Sequence, residues 1–288
     1  INAFPPADMS LKSKIDVSGE MLLLRDKKIL TVFSQEKVVG YNVSDAANPK
    51  EIWSMKLEQN TSIASSRLHN GTIYLVTRTY LNQPDPCPIR PLTGVIIDCF
   101  EMYRPFKILP VDASFTAMRI NPQTGAVEKE LSFLGSTQDS VVYMSPTAIY
   151  VTYYYPESTA KLTIKAVIER GFVVFPVSVI EDIKRVDGYA ISDEAKAVEL
   201  QVILDRYYKT ISAGERLKVE NNWNNQLQAY IKDHRRDLEK TTIVKIPLDT
   251  FVVGATGSVP GYPVNQFALD EYQGNLRIAV TVGERSSW

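Results

Sequence analysis

The chain has 288 residues, 44% hydrophobic and 23% charged, and 32 Lys and Arg against 33 Asp and Glu leave a net charge of -1. At roughly 150 residues per domain this is two domains or one large all-β or repeat domain, long enough to bury a core. A balance so near zero supplies no summed field to hold a polyanion or an anionic membrane surface, and no apolar run reaches the ~18 residues of a membrane span, so neither a nucleic-acid partner nor a spanning helix is expected.

Taken in chain order, Ile1-Asn-Ala-Phe-Pro-Pro6 resembles the middle of a unit that recurs downstream, matching Tyr41-Asn-Val-Ser44. Four phrases, at residues 26–33, 70–77, 145–152 and 273–280, place polar turn residues ahead of a run rich in Ile, Val, Tyr and Thr. Turn residues supply sharp backbone geometry and β-branched residues suit a pleated surface, so each phrase predicts a strand entered from a tight turn. The first three are followed by two further strands across a polar turn: 38–44 with 51–57, 115–121 with 126–133, and 242–248 with 251–259. The unit is strand, hairpin, strand, strand, the plan of one β-propeller blade.

Ile29, Ile73, Ile149 and Leu276 occupy equivalent places at intervals of 44, 76 and 127 residues. The first interval falls in the ~40 to 50 range of blade repeats. Removing residues 81–113, which hold six Pro and both Cys, shortens the second to 43, and removing residues 157–240 shortens the third to 43 as well. The expected fold class is therefore mainly β: four-stranded antiparallel propeller blades of period 43–44, incomplete as a ring, with an inserted α-helical subdomain. Residues 1–156 carry blades with a disulfide loop at 81–113, 157–240 form the insertion, and 241–288 continue the propeller.

The insertion holds 28 of the 65 charged residues, 14 of each sign, and one of the 16 Pro. Residues 159–170 and 177–186 read as helical, while Phe172-Val-Val-Phe175 reads equally as a short strand. Ser192-Asp-Glu caps a helix bearing Ala197, Leu200, Leu204, Tyr207 and Ile211 at spacings of 3 and 4. Ser212-Ala-Gly-Glu215 has the form of a capping box ahead of Val219, Trp223, Leu227, Tyr230, His234 and Leu238. Two antiparallel helices joined by a tight turn are the natural reading of that half.

Cys87 and Cys99, alone in one Pro-rich loop, suggest a local disulfide against the alternative of two free thiols. Thiolates twelve apart with neither His near in sequence do not predict a metal site. Asn42-Val-Ser, Asn60-Thr-Ser and Asn70-Gly-Thr satisfy the glycosylation pattern, which three of 13 Asn would reach at close to chance.

The stretch Val259-Pro-Gly-Tyr-Pro-Val-Asn-Gln-Phe-Ala-Leu-Asp-Glu-Tyr-Gln-Gly-Asn-Leu-Arg-Ile-Ala-Val280 resembles the signature region of a family of secreted proteins. These carry a C-terminal β-propeller domain distantly related to WD40 repeats and occur mainly in archaea and some bacteria. Ile73-Tyr-Leu-Val-Thr-Arg78, Cys87-Pro-Ile-Arg-Pro91 with Asp98-Cys-Phe-Glu-Met-Tyr103, and His234-Arg-Arg-Asp-Leu-Glu-Lys-Thr-Thr-Ile243 are similar too, so the resemblance spans essentially the whole chain. It implies a secreted or cell-surface location, and absence from this chain of an upstream first strand and of later blades. It implies no activity.

Nucleophilic hydrolysis needs a base, normally His, and only His69, beside the Asn70-Gly turn, and His234, on a helix stripe, are present. Both read as turn and packing residues, so no catalytic residue, metal ligand or cofactor is assigned. Asn265, Gln266, Asp270 and Glu271, ahead of an inferred inner strand, are candidates for contact with a cation or a sugar near a propeller channel, against the plainer role of capping strand ends. Tyr153, Tyr154 and Tyr155, with Tyr80 at the matching place, are candidates for stacking on a sugar or a partner, against packing beneath the insertion. The expected function is an extracellular scaffold or binding module without catalysis; the alternative is a cell-surface hydrolase acting on glycans or peptides through channel-facing carboxylates. Expected partners are a protein or glycan at the cell surface, or remaining blades on another chain or segment.

Overall fold

A computed structural model describes residues 13–81, 86–104 and 111–283. The chain divides into two compact units. One comprises the residues up to Tyr154 with 242–257 and 263–279, and the other comprises 155–241, 258–262 and the residues from Val280.

The first unit is a succession of antiparallel meanders. Strands β1 (Glu20–Leu24), β2 (Ile29–Phe33), β3 (Lys37–Asn42) and β4 (Lys50–Lys56) form the first sheet in that order. The second is β5 (Thr61–His69), β6 (Thr72–Tyr80), β7 (Ala113–Ile120) and β8 (Val127–Gly135). The third is β9 (Val141–Met144), β10 (Ala148–Pro156), β11 (Glu239–Pro247) and β12 (Ala255–Pro260), and a hairpin of β13 (Leu269–Tyr272) and β14 (Asn275–Ile278) follows. The four repeated phrases are the second strands β2, β6, β10 and β14. Among the described residues, three four-stranded blades and the opening hairpin of a fourth make a mainly β, incomplete propeller with a helical insert.

Alternation along a strand explains how successive sheets stack face to face. On β6, Ile73 and Leu75 join Phe33, Val38 and Met55 of the first sheet, whereas Tyr74 and Val76 join Val142, Ile149 and Val151 of the third. Strands buried on both faces read as continuous apolar runs, which is why these second strands stood out in the sequence. The Pro-rich loop contributes Ile89, Leu92, Val95 and Ile97 to the layer between the first two sheets. Trp53 ties the same sheets together: its indole lies against Gly40 and Gly125, and Nε1 donates to the Pro122 carbonyl at 2.8 Å.

Phe251-Val-Val, expected to open a strand, instead lies in the turn after β11. Phe251 has φ 58°, and its buried ring sits 6.4 Å from that of Tyr74. An apolar plug in a turn carries the same residue signal as a strand start, so β12 begins only at Ala255.

The second unit contains α1 (Thr159–Arg170), α2 (Val177–Asp187), α3 (Asp193–Tyr208), α4 (Ala213–Asp233) and α5 (Arg235–Leu238). Ser192 accepts from the Ala195 N–H, and Ser212 and Glu215 form the reciprocal capping box. Its core gathers Ile164, Val167, Ile183, Leu200, Trp223 and Tyr230. The expected antiparallel pair of α3 with α4 is not the packing unit: α1 packs against α2, α3 and α4, and α3 packs on α1 and α2. Phe172-Val-Val-Phe175 is not a strand: Gly171–Val173 is a 3-10 turn that inserts Phe175 between Tyr207 and Trp223 at ring separations of 6.0 and 5.3 Å.

Candidate functional site

In each sheet the first strand is an edge strand, so β1 and β5 each have one side free of sheet pairing. Between them opens a cleft of about 1030 Å³. One wall is the approach to β1, from Asp16 to Glu20, with the β2–β3 turn from Phe33 to Lys37, and the other is the start of β5, from Thr61 to Ser65. Ser34 shapes the turn, donating to the Lys37 carbonyl at 2.8 Å and accepting from the Lys37 N–H at 3.0 Å. Gly19 lies so close to β2 that a Cβ there would stand 1.9 Å from the Phe33 carbonyl oxygen. Hydrogen bonding to Lys14, aided by its charge, holds the Asp16 carboxyl below the ordinary carboxylate range. Glu20 accepts from Ser66 Oγ at 3.3 Å. The Ser62 hydroxyl oxygen is buried and has no hydrogen-bond partner.

Sequence reasoning did not find this cleft. Its far wall, Thr61-Ser-Ile-Ala-Ser65, is poor in strongly β-forming residues, and its near wall belongs to a turn. The available signal was indirect: each repeated phrase requires a partner strand before its turn.

Asn265, Gln266, Asp270 and Glu271 do not converge on one point. Asn265 Oδ1 caps a 3-10 turn by accepting from the Phe267 N–H at 2.9 Å, and Gln266 accepts from Arg67. Asp270 pairs with Arg277, its cross-strand neighbour in the β13–β14 hairpin. Glu271 accepts from Thr147 Oγ1, at 2.7 and 2.8 Å to its two oxygens. Burial acts to raise the Glu271 carboxyl, but hydrogen bonds from Ser145 and Thr147 and the Lys245 charge outweigh it and hold the group below its ordinary value. Asp270 and Glu271 lie on β13, ahead of β14, the strand of the fourth repeated phrase. Among the described residues, no group of three or more His, Cys, Asp and Glu is placed to hold a metal ion.

Of the four tyrosines, Tyr153 and Tyr154 are 1% and 6% exposed, so neither ring face is open to a ligand. Tyr153 stacks on Phe115 at 6.4 Å, because this part of β10 is buried on both sides. Tyr155 is half-buried, and Tyr80, 47% exposed, lies beside the Arg78 guanidinium at the end of β6. His234 ends α4, stacks on Tyr230 at 4.0 Å and lies 3.6 Å from Glu169. His69 pairs with Asn70 at 3.1 Å. Cys87 and Cys99 are joined in a disulfide. Asn42, Asn60 and Asn70 are all exposed.

Stacked four-stranded meanders, with their first strands on an open cleft, define a β-propeller. Residues 3–288 match the profile of the Beta propeller domain family, and the chain belongs to that family. It is similar to an uncharacterised protein of Archaeoglobus fulgidus, 41% identical over 286 residues covering 98% of this chain and 45% of that protein. It is also similar to an uncharacterised protein of Methanocaldococcus jannaschii, 34% identical over 290 residues covering 99% of this chain and 45% of the relative. The chain thus spans about half the length of the curated relatives it matches. No solved structure matches it.

Proposed function

We propose that the chain is a non-catalytic binding or scaffold module of a secreted or cell-surface protein. The observation that carries the reading is the cleft between β1 and β5: an open, polar concavity on rigid strands, with hydroxyls, main-chain edges and carboxylates but no nucleophile–base pair among the described residues. The hydrolase alternative would use Asp16, Glu20 or Glu36 on the cleft wall. A general acid needs its carboxyl raised, and Asp16 is shifted the other way by hydrogen bonding to Lys14, so it does not fit the part of that acid. The disulfide and the exposure of Asn42, Asn60 and Asn70 support an oxidising, extracellular setting.

Some archaea also keep disulfides inside the cell, so compartment is tested by disulfide and sequons together. Protein isolated from its source is measured by intact mass after alkylation with and without reductant. The expected result is two thiols alkylated only after reduction, with glycan mass on at least one of the three sequon peptides. Freely alkylated thiols on protein lacking any glycan would exclude the extracellular reading.

A further inference from the structure

We infer that the cleft between β1 and β5 receives an extended peptide bearing Lys or Arg side chains, which adds a strand to the free edge of β5. This rests on the binding-module reading and specifies its ligand. An edge strand presents a row of main-chain donors and acceptors that an incoming extended chain can pair with, and β5 is the terminal strand of its sheet. Five consecutive β5 residues, Thr61 to Ser65, line the cleft. Ala64 is the residue skipped where the β5–β6 register shifts, between Ile63 and Ser65. Such a bulge leaves one residue unpaired and bends the strand. With Ser62, Ala64 and Ser65 on one wall and Ser18 and Gly19 on the other, no large side chain from these positions keeps a second main chain away.

Charge and chemistry narrow the occupant. Glu20 and Glu36 are both exposed on the wall, and no ion pair joins either to a cation among the described residues, while Asp16 is matched by Lys14. Lys37 is the one cation on the wall, so the lining is net negative and favours a cationic guest. A sugar site ordinarily offers an aromatic face, and the aromatic ring on this wall, Phe33, is only 4% exposed.

The test is fluorescence anisotropy on the whole chain with three labelled probes: a Lys-Val alternating heptapeptide, its Glu-Val counterpart, and maltoheptaose. The lysine peptide is expected to bind and the glutamate peptide to bind at least tenfold more weakly. Ser18→Trp, which places a large ring on the exposed wall of the cleft, should weaken lysine-peptide binding at least tenfold, with urea midpoints confirming that the variant folds. Glu20→Gln combined with Glu36→Gln, at exposed positions, should weaken it as much and flatten its salt dependence. Equal binding of the two peptides, or full binding by both the filled and the neutralised variants, overturns the proposal. Binding of maltoheptaose alone, abolished by Ser18→Trp, overturns the peptide and leaves the binding module standing. Failure of all three probes overturns the proposal and removes the cleft as support for the wider reading.

Discussion

Glycine at position 40 is required by space rather than by backbone angle. A Cβ there would stand 2.2 Å from the Trp53 ring, which is fixed on its other side by Gly125 and by the bond from Nε1 to the Pro122 carbonyl. A rigid, anchored indole cannot swing aside as a flexible side chain would, so Gly40→Ala should cost about 1–3 kcal/mol through overpacking. The checks are a lowered urea midpoint and an altered Trp emission; an unchanged midpoint would show that the indole relaxes freely. A second residue-scale expectation follows from Glu271, whose carboxyl is held below the ordinary value of 4.5 because hydrogen bonds from Ser145 and Thr147 and the Lys245 charge outweigh burial. A carboxyl lowered on folding contributes stability that is fully present above its unfolded value and is lost as pH falls through the folded one. Glu271→Gln should therefore flatten the fall of the urea midpoint below about pH 4.5, while shifting it at neutral pH by a constant amount. Parallel curves for the two proteins from pH 7 to pH 3 would refute it.

Among the elements, the Pro-rich loop shows how a covalent tie and a hydrophobic anchor divide the work. The disulfide closes a loop between Cys87 and Cys99, and inside it Ile89, Leu92, Val95 and Ile97 are all buried in the layer between the first two sheets. Constraining so short a loop in the unfolded chain contributes about 3 kcal/mol in the chain-entropy account. Reduction should therefore lower the unfolding free energy by about that amount, and the urea midpoint with it, without unfolding the protein, since the four apolar anchors remain. Urea titrations with and without reductant, followed by far-ultraviolet circular dichroism, distinguish this from loss of the fold on reduction. The sequence made some of these elements plain and concealed others. The second strands and the capped helices were legible because double-sided burial and capping chemistry leave dense local signals, as at Ile73-Tyr-Leu-Val and Ser212-Ala-Gly-Glu. The first strands were not, because Thr61-Ser-Ile-Ala-Ser65 is held by pairing with β6 and has little β propensity of its own. Within the candidate site, the Cys87–Cys99 pairing was legible in the sequence, whereas two of the four tyrosines and the cleft were not. Tyr153 and Tyr154 are both buried, Tyr153 in the layer between the second and third sheets, and the cleft is made by strands that no local pattern announced.

At the scale of the whole molecule, the helical insertion enters and leaves between two neighbouring strands. β10 ends at Pro156 and β11 begins at Glu239, the two are adjacent in the third sheet, and the Glu157 N–H donates to the Leu238 carbonyl at 2.8 Å. Eighty-odd residues therefore depart and return within one hydrogen bond, a geometry that a two-residue hairpin turn also satisfies. The helical unit has its own core, from Leu162 to Leu238, that draws on no propeller strand of the first unit. The layers between the sheets are likewise completed by residues outside the insertion. Replacing residues 158–237 with Asn-Gly should then leave a folded all-β protein. The expected readings are loss of the helical signal at 222 nm, retention of a cooperative urea transition, and retention of the Cys87–Cys99 disulfide by mass. An aggregated or non-cooperative product would mean that the blades need the insertion to fold, and that the equal spacing left once it is subtracted reflects descent from a common repeat rather than present-day independence.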